Sequence, residues 1–176
     1  MGRRIATVGM FDGVHRGHRY LVEQMRSEAV CRGLETDVVT FATHPLVTIR
    51  PECVPPMLST PSERVAMLAS IGVDYCRVLD FDADMQRLTA REFKAMLHEQ
   101  DGVDVMILGF NNRFGSDRLS EISDYQRIGA EVGVEVLQAK ECPGVSSSVV
   151  RQQLAEHDVQ GAAESLGRYY SISGTV

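Results

Sequence analysis

The chain has 176 residues, of which 44% are hydrophobic, and its formal net charge is −6 at pH 7. This length suits one domain with its own core, and the acidic balance argues against a general nucleic-acid-binding protein. We expect a cytoplasmic protein with free thiols, because no apolar run approaches the ~18 residues of a membrane span and its 4 cysteines form no CxxC pair.

The first half of the chain alternates strand and helix patterns. The β-branched run at 4–9 predicts a strand, and apolar residues at helical spacing follow it until Gly33, which is expected to end the helix. A second strand is predicted at 36–41. Four prolines between residues 44 and 58 predict a long irregular excursion.

The second half continues the alternation. Thr60, Pro61 and Glu63 form the start signal of a helix, with a capping box and proline in the first turn. The remaining strands are predicted at 74–81, 103–109 and 134–140, and the remaining helices at 89–97, 123–133, 146–157 and 158–167. The pattern predicts an α/β fold with a Rossmann-like, doubly wound, five-stranded parallel sheet.

The stretch GMFDGVHRGH, residues 9–18, lies where such a sheet binds ligands, at the carboxyl end of its first strand. Gly13 and Gly17 let the backbone approach a ligand closely, and the following helix points free N–H groups at the same place. His15 and His18 share one face of that helix and can donate hydrogen bonds to phosphate oxygens.

Two other interpretations of the histidine pair stay open at this point. Histidines three apart are often simply surface residues, and they can also form half of a zinc site, although no third ligand stands nearby at a recognisable spacing. The glycine spacing differs from the GxGxxG dinucleotide fingerprint. The position directly after the first strand favours a polyphosphate site.

A second candidate phosphate site lies at residues 145–154, VSSSVVRQQL. Ser146, Ser147 and Ser148 stand before a helix, where their hydroxyl and amide groups can hold phosphate. Arg151 lies one turn further along. Taken alone, this pattern equally fits an ordinary serine cap followed by a solvated arginine.

Together the two motifs resemble the HxGH nucleotidyltransferase superfamily. The chain is most similar to the FMN adenylyltransferase (FAD synthetase) domain of bacterial bifunctional riboflavin kinase/FAD synthetases. The segments that carry this resemblance occur in order along nearly the whole chain: GMFDGVHRGH, TFATHP, LSTPSERVAMLASIGVD, LTAREF, GFNNRFG, VSSSVVRQQL and LGRYYSISGTV. The resemblance implies that AMP is transferred from ATP to FMN, giving FAD and pyrophosphate.

The resemblance also implies roles for individual residues. His15, His18 and Arg151 would be catalytic, and Mg²⁺ would arrive largely with ATP, with Asp12 a candidate for coordinating it or for ordering the loop. The nucleotide and flavin would be held by Gly9, Met10, Phe11, Asp12, Gly17, Gly109, Asn111, Phe114, Ser146, Ser147 and Ser148. For the flavin slot we expect Phe41, Pro56, Met57 and Leu58.

Three features separate this chain from the family pattern, and one of them is the conservative exchange of the usual threonine of the serine motif for Ser148. Asn111 stands where the family usually has an aspartate, which predicts weakened activity. Residues 1–166 would form the nucleotidyltransferase domain, and 167–176 the start of a linker or strand toward a riboflavin kinase domain that is absent here, so no kinase activity is expected. A non-catalytic flavin- or nucleotide-binding module, or transfer to another phosphorylated small molecule, remains the alternative function.

Overall fold

The computed structural model describes residues 3–110 and 112–174. Five parallel strands form one sheet in the order β3-β2-β1-β4-β5. The strands are β1 (Arg4–Val8), β2 (Glu35–Phe41), β3 (Tyr75–Leu79), β4 (Val103–Leu108) and β5 (Glu135–Gln138). The predicted α/β sheet is therefore confirmed, and β1 lies at its centre, where the order of the strands reverses.

Helices pack on both faces of the sheet. They are α1 (Arg16–Arg32), α2 (Leu46–Ile49), α3 (Pro61–Ser70), α4 (Ala83–Arg87), α5 (Ala90–Asp101), α6 (Ile122–Glu131), α7 (Ser147–Ala155) and α8 (Val159–Leu166). Alternation along β1 divides its side chains between two cores. Ala6 and Val8 join the cluster under α5 and α6, whereas Ile5 joins the cluster under α1 and α3.

The helix ends follow the start and stop signals of the sequence. Thr60 Oγ1 accepts a hydrogen bond from the Glu63 backbone N–H, and the Glu63 carboxylate accepts one from the Thr60 backbone N–H, so the predicted capping box of α3 is present. Gly33 closes α1 with a φ of 64°, a left-handed conformation that glycine adopts without steric cost.

The excursion at 44–58 was predicted to be irregular, and this was wrong in part. Residues Leu46–Ile49 form the short helix α2, and Pro51–Cys53 form a turn of 3₁₀ helix. Pro45 precedes α2 and Pro51 opens the 3₁₀ turn, positions where a missing N–H costs no helical hydrogen bond. The short helix α4 was also missed.

The last described residues follow α8 and do not join the sheet. Residues 168–174, where the start of a linker or strand is expected, contain no strand; residues 175 and 176 lie outside the described part. Within residues 3–110 and 112–174, no helix is both long and apolar enough to cross a membrane.

Candidate functional site

The two histidines lie together where β1 passes into α1. The turn Asp12–Val14 delivers His15 to the start of α1, and its Nδ1 accepts a hydrogen bond of 3.4 Å from the His18 backbone N–H. The imidazole rings are stacked, with centroids 3.6 Å apart. A Cβ on Gly17 would come within 3.1 Å of the His15 ring, so this glycine makes the ring position accessible.

Both imidazoles are held in the neutral form at pH 7. Burial lowers the pKa of His15 to about 4; Asp12 opposes this shift and Arg151 adds to it. Burial also lowers the pKa of His18 well below its usual value, with the neighbouring His15 and Arg64 acting in the same direction. The pair can therefore offer neutral N–H donors to a ligand rather than a positive charge.

Asp12 is the centre of a buried hydrogen-bond network. Its carboxylate, 1% exposed, accepts from the backbone N–H groups of Leu58 and Ser59 at 3.0 to 3.1 Å and from the Ser59 hydroxyl at 3.1 Å. It also pairs with Arg151 at 2.6 Å. Because these donors occupy the carboxylate, Asp12 fits the role of ordering the loop and does not fit that of a Mg²⁺ ligand. The described residues contain no group of three or more His, Cys, Asp or Glu side chains that could hold a metal ion.

The second motif meets the first at this network. The Ser147 hydroxyl donates to the Asp12 carbonyl at 3.0 Å, and Arg151 Nε donates to the Pro56 carbonyl at 2.7 Å. Ser146 caps α7 by accepting from the Val149 N–H at 3.2 Å, and Ser148 is exposed. The N-termini of α1 and α7 thus both lie next to the turn Asp12–Val14, although more than a hundred residues separate the two motifs.

An apolar cavity of about 430 Å³ opens beside the end of β1. Its wall includes Gly9, Met10, Phe41, Phe81, Phe93 and Phe114. Phe114 packs against Phe93 and Tyr125, with ring centroids 5.3 and 5.0 Å away, so this aromatic wall is fixed from behind.

The four residues expected at a flavin slot do not all line the same cavity. Phe41 lines the cavity beside β1, whereas Met57 and Leu58 line a second cavity of about 440 Å³ that also contacts His44 and Tyr170. Pro56 contributes its carbonyl to Arg151. Only Phe41 of this set faces the aromatic wall.

The remaining predicted site residues lie along the ends of β1 and β4. Phe11 is buried in the core, 1% exposed, with its ring 4.9 Å from that of His18, so it supports the histidine from beneath. Gly109 directly follows β4, and the Asn112 side chain donates to the Val8 carbonyl. Asn111 lies outside the described residues.

Sequence reasoning missed two polar side chains at the site. Arg64 is completely buried in α3, and its guanidinium donates to the carbonyls of Met10 and Phe41, both at 2.9 Å. Its position one turn before the buried Leu68 was a usable signal, because an arginine on an apolar helix face needs buried acceptors. His44 lies close enough to Arg151 and Asp12 for both charges to act on its pKa, which burial lowers.

The sequence matches a described protein family over most of its length. The family model for FAD synthetase matches residues 2–152. The bifunctional riboflavin kinase/FMN adenylyltransferases of Escherichia coli (strain K12) and Pseudomonas fluorescens are 34% and 36% identical over 98% of this chain. The chain spans only 56% and 57% of the length of these two relatives.

Solved structures show the same architecture. A protein from Streptococcus pneumoniae described as a macrolide-efflux protein superposes with a TM-score of 0.82 at 27% identity, covering 95% of this chain and 56% of that one. TmcAL of Thermotoga maritima, solved with alpha-thio ATP, gives a TM-score of 0.64 at 13% identity, covering 93% of this chain and 53% of that one, and so shares the fold.

Proposed function

The chain belongs to the FAD synthetase family, and on this premise we propose that it transfers AMP from ATP to FMN. A phosphate oxygen of FMN attacks the α-phosphorus of ATP. The bond between that phosphorus and the oxygen bridging to the β-phosphate breaks, and pyrophosphate leaves with the electron pair. The products are FAD and pyrophosphate.

The observation that carries this proposal is the meeting of the two predicted phosphate sites next to an aromatic cavity. The start of α1 with its histidine pair and the start of α7 with Arg151 are joined through Asp12, and the cavity opens at the same end of β1. A nucleotidyl transfer from a nucleoside triphosphate to a phosphate monoester that carries an aromatic ring system needs these two surfaces side by side.

The reaction needs positioning more than proton transfer. The second pKa of a phosphate monoester is about 6, so the FMN phosphate is mostly ionised at neutral pH and needs no general base. The His15 and His18 N–H groups would stabilise charge that develops on the α- and β-phosphates, because preorganised donors act most strongly in a site shielded from water. Arg151 and the serines of α7 would hold the leaving phosphates.

Mg²⁺ would reach the site with ATP. Its chemistry, when bound, is to neutralise charge on the phosphates of the nucleotide. The side chains described above offer it no carboxylate cluster, so the protein's own share of phosphate binding would fall to Arg151, to the hydroxyls at the start of α7 and to backbone N–H groups.

The aromatic cavity supports FMN as the acceptor. Its volume of about 430 Å³ and its phenylalanine wall suit a flat ring system. A flexible acceptor such as a pantetheine phosphate or glycerol phosphate has no aromatic ring to stack there.

The test is direct. Purified protein is incubated with ATP, Mg²⁺ and FMN, and FMN is separated from FAD by chromatography while pyrophosphate is measured in parallel. Pantetheine phosphate and glycerol phosphate replace FMN in matched reactions. FAD and pyrophosphate in equal amounts support the proposal; binding of FMN and ATP with no product, or product only with another acceptor, contradicts it.

A further inference from the structure

The turn that delivers His15 has an unusual backbone. Phe11, Gly13 and Val14 all have positive φ, at 50°, 74° and 40°. A β-branched residue such as Val14 rarely adopts this left-handed conformation. Strained backbone of this kind persists only where its surroundings fix it from several sides.

Side chains from distant parts of the chain fix this turn, and Met10 just before it, through backbone carbonyl groups. The Met10 carbonyl accepts from Thr40 and Arg64, and the Asp12 carbonyl accepts from Ser147. The Gly13 carbonyl accepts from Arg168 Nη2 at 2.9 Å. Arg168 is therefore the side chain that holds the carbonyl two residues before His15.

The end of α8 aims Arg168 at this carbonyl. Gly167 closes α8 with a φ of 71° and turns the chain back over the start of α1. The Arg168 guanidinium is partly buried; its Nη1 donates to the Tyr169 carbonyl, and its Nη2 also lies 2.8 Å from Met67 Sδ. Leu166 packs against the same turn, since a Cβ on Gly13 would lie 3.4 Å from its Cδ2.

We infer that Arg168 is a positioning residue for adenylyl transfer. By holding the Gly13 carbonyl it keeps the strained turn in place and so aims the His15 ring at the α-phosphate. Arg168 belongs to the segment LGRYYSISGTV, which lies beyond residue 152, where the match to the family model ends. The expected effect on kcat rests on the proposed function, whereas the expected effect on the backbone of the turn does not.

The experiment compares Arg168→Met with Arg168→Lys in the full chain. Methionine keeps most of the side-chain packing and removes the donors, whereas lysine keeps a charged donor group on a similar stem. Arg91→Met is the matched control, because Arg91 is an exposed arginine on α5 with a surface partner, Glu131. For each protein, kcat, KM for ATP, Tm and the hydrogen exchange rates of the Gly13 and Val14 amides are measured.

We expect Arg168→Met to lower kcat about 10-fold with KM for ATP within about twofold, because a small displacement of a catalytic group affects the reacting geometry most. Exchange at Gly13 and Val14 should accelerate about 10-fold, and Arg168→Lys should recover most of both losses. Arg91→Met should change neither.

Two results would overturn the inference. One is an unchanged kcat in an active Arg168→Met protein; the other is unchanged exchange at Gly13 and Val14. If the wild-type chain forms no FAD, the proposed function fails, and the exchange rates alone then decide whether Arg168 holds the turn.

Discussion

Acidification from pH 7 to pH 5 should lower the free energy of unfolding by about 2 kcal/mol through His15 alone. Burial lowers the folded-state pKa of this residue to about 4 from the ordinary value of 6.5, against the opposing charge of Asp12. Between these two values the unfolded chain holds a proton that the folded chain does not. The stabilisation is therefore complete above pH 6.5 and is lost as the pH falls.

The size of the effect follows from the gap between the two pKa values. A gap from 6.5 to about 4 corresponds to about 3 kcal/mol at 1.36 kcal/mol per unit, and about 2 kcal/mol of this is lost by pH 5. Screening by solvent does not reduce this free energy appreciably, because only 6% of His15 is exposed. His18 adds to the loss, since burial, His15 and Arg64 all lower its pKa.

The assay is thermal unfolding at pH 7 and pH 5 in buffers of matched ionic strength. For a domain of this size about 2 kcal/mol corresponds to a fall in Tm of about 4–8 °C. The His15→Gln variant keeps an acceptor for the His18 N–H but cannot titrate. Between pH 7 and pH 5 its Tm should therefore fall by about 4–8 °C less than that of the wild type. His157→Asn, a substitution of an exposed histidine outside the site, is the matched control and should keep the wild-type difference in Tm between pH 7 and pH 5.

A pH dependence in His15→Gln as steep as that of the wild type would refute the reasoning. It would mean that the acid sensitivity comes from other groups and that the His15 ring is as easily protonated in the folded chain as in water.

Three further results are expected from the site. Replacement of His15 or His18 by alanine should lower kcat for FAD formation at least about 10-fold while near-ultraviolet circular dichroism stays native; wild-type rates in both would remove the pair from the mechanism. Arg151→Lys should raise KM for ATP several-fold, because lysine keeps the charge but loses the planar fork that grips two oxygens, and an unchanged KM would leave Arg151 as a structural residue. Asp12→Asn should cost at least about 2 kcal/mol in denaturant unfolding, because the neutral amide removes the charge that pairs with Arg151 and keeps only one acceptor oxygen, so that its NH2 group must face either the Ser59 N–H or the Arg151 guanidinium. A variant as stable as wild type would show that the network adapts.

The fold could be predicted to the level of its elements because the relevant signals are local. The capping box at Thr60 and the stop at Gly33 act within a few residues, and the alternating strand and helix patterns imply a parallel sheet. The four prolines of 44–58 do not predict the short helix α2, because proline disrupts a helix interior, whereas Pro45 and Pro51 stand at helix starts, where proline is tolerated.

The site could be predicted only where its residues are neighbours in sequence. The stacking of His15 on His18 follows from a spacing of three, whereas the partners of the turn come from far along the chain. Arg64 reaches Met10 across 54 positions, and Arg168 reaches Gly13 across 155. No local pattern encodes such pairs, since each depends on how the helices return to the same edge of the sheet.

The neutral histidines determine which chemistry the site can offer. Because His15 Nδ1 accepts from the His18 backbone, the ring proton of the neutral imidazole stands on Nε2, the atom left to donate to a phosphate. Of the cations near this turn, Arg64 and Arg168 donate to backbone carbonyls, and Arg151 lies against the Asp12 carboxylate. A bound triphosphate must therefore share this guanidinium with Asp12, and the histidines add donors in place of charge. Under the proposed function, transfer thus depends on how accurately the turn at Asp12–Val14 aims two uncharged N–H groups, and this is why so many distant side chains converge on its carbonyl groups.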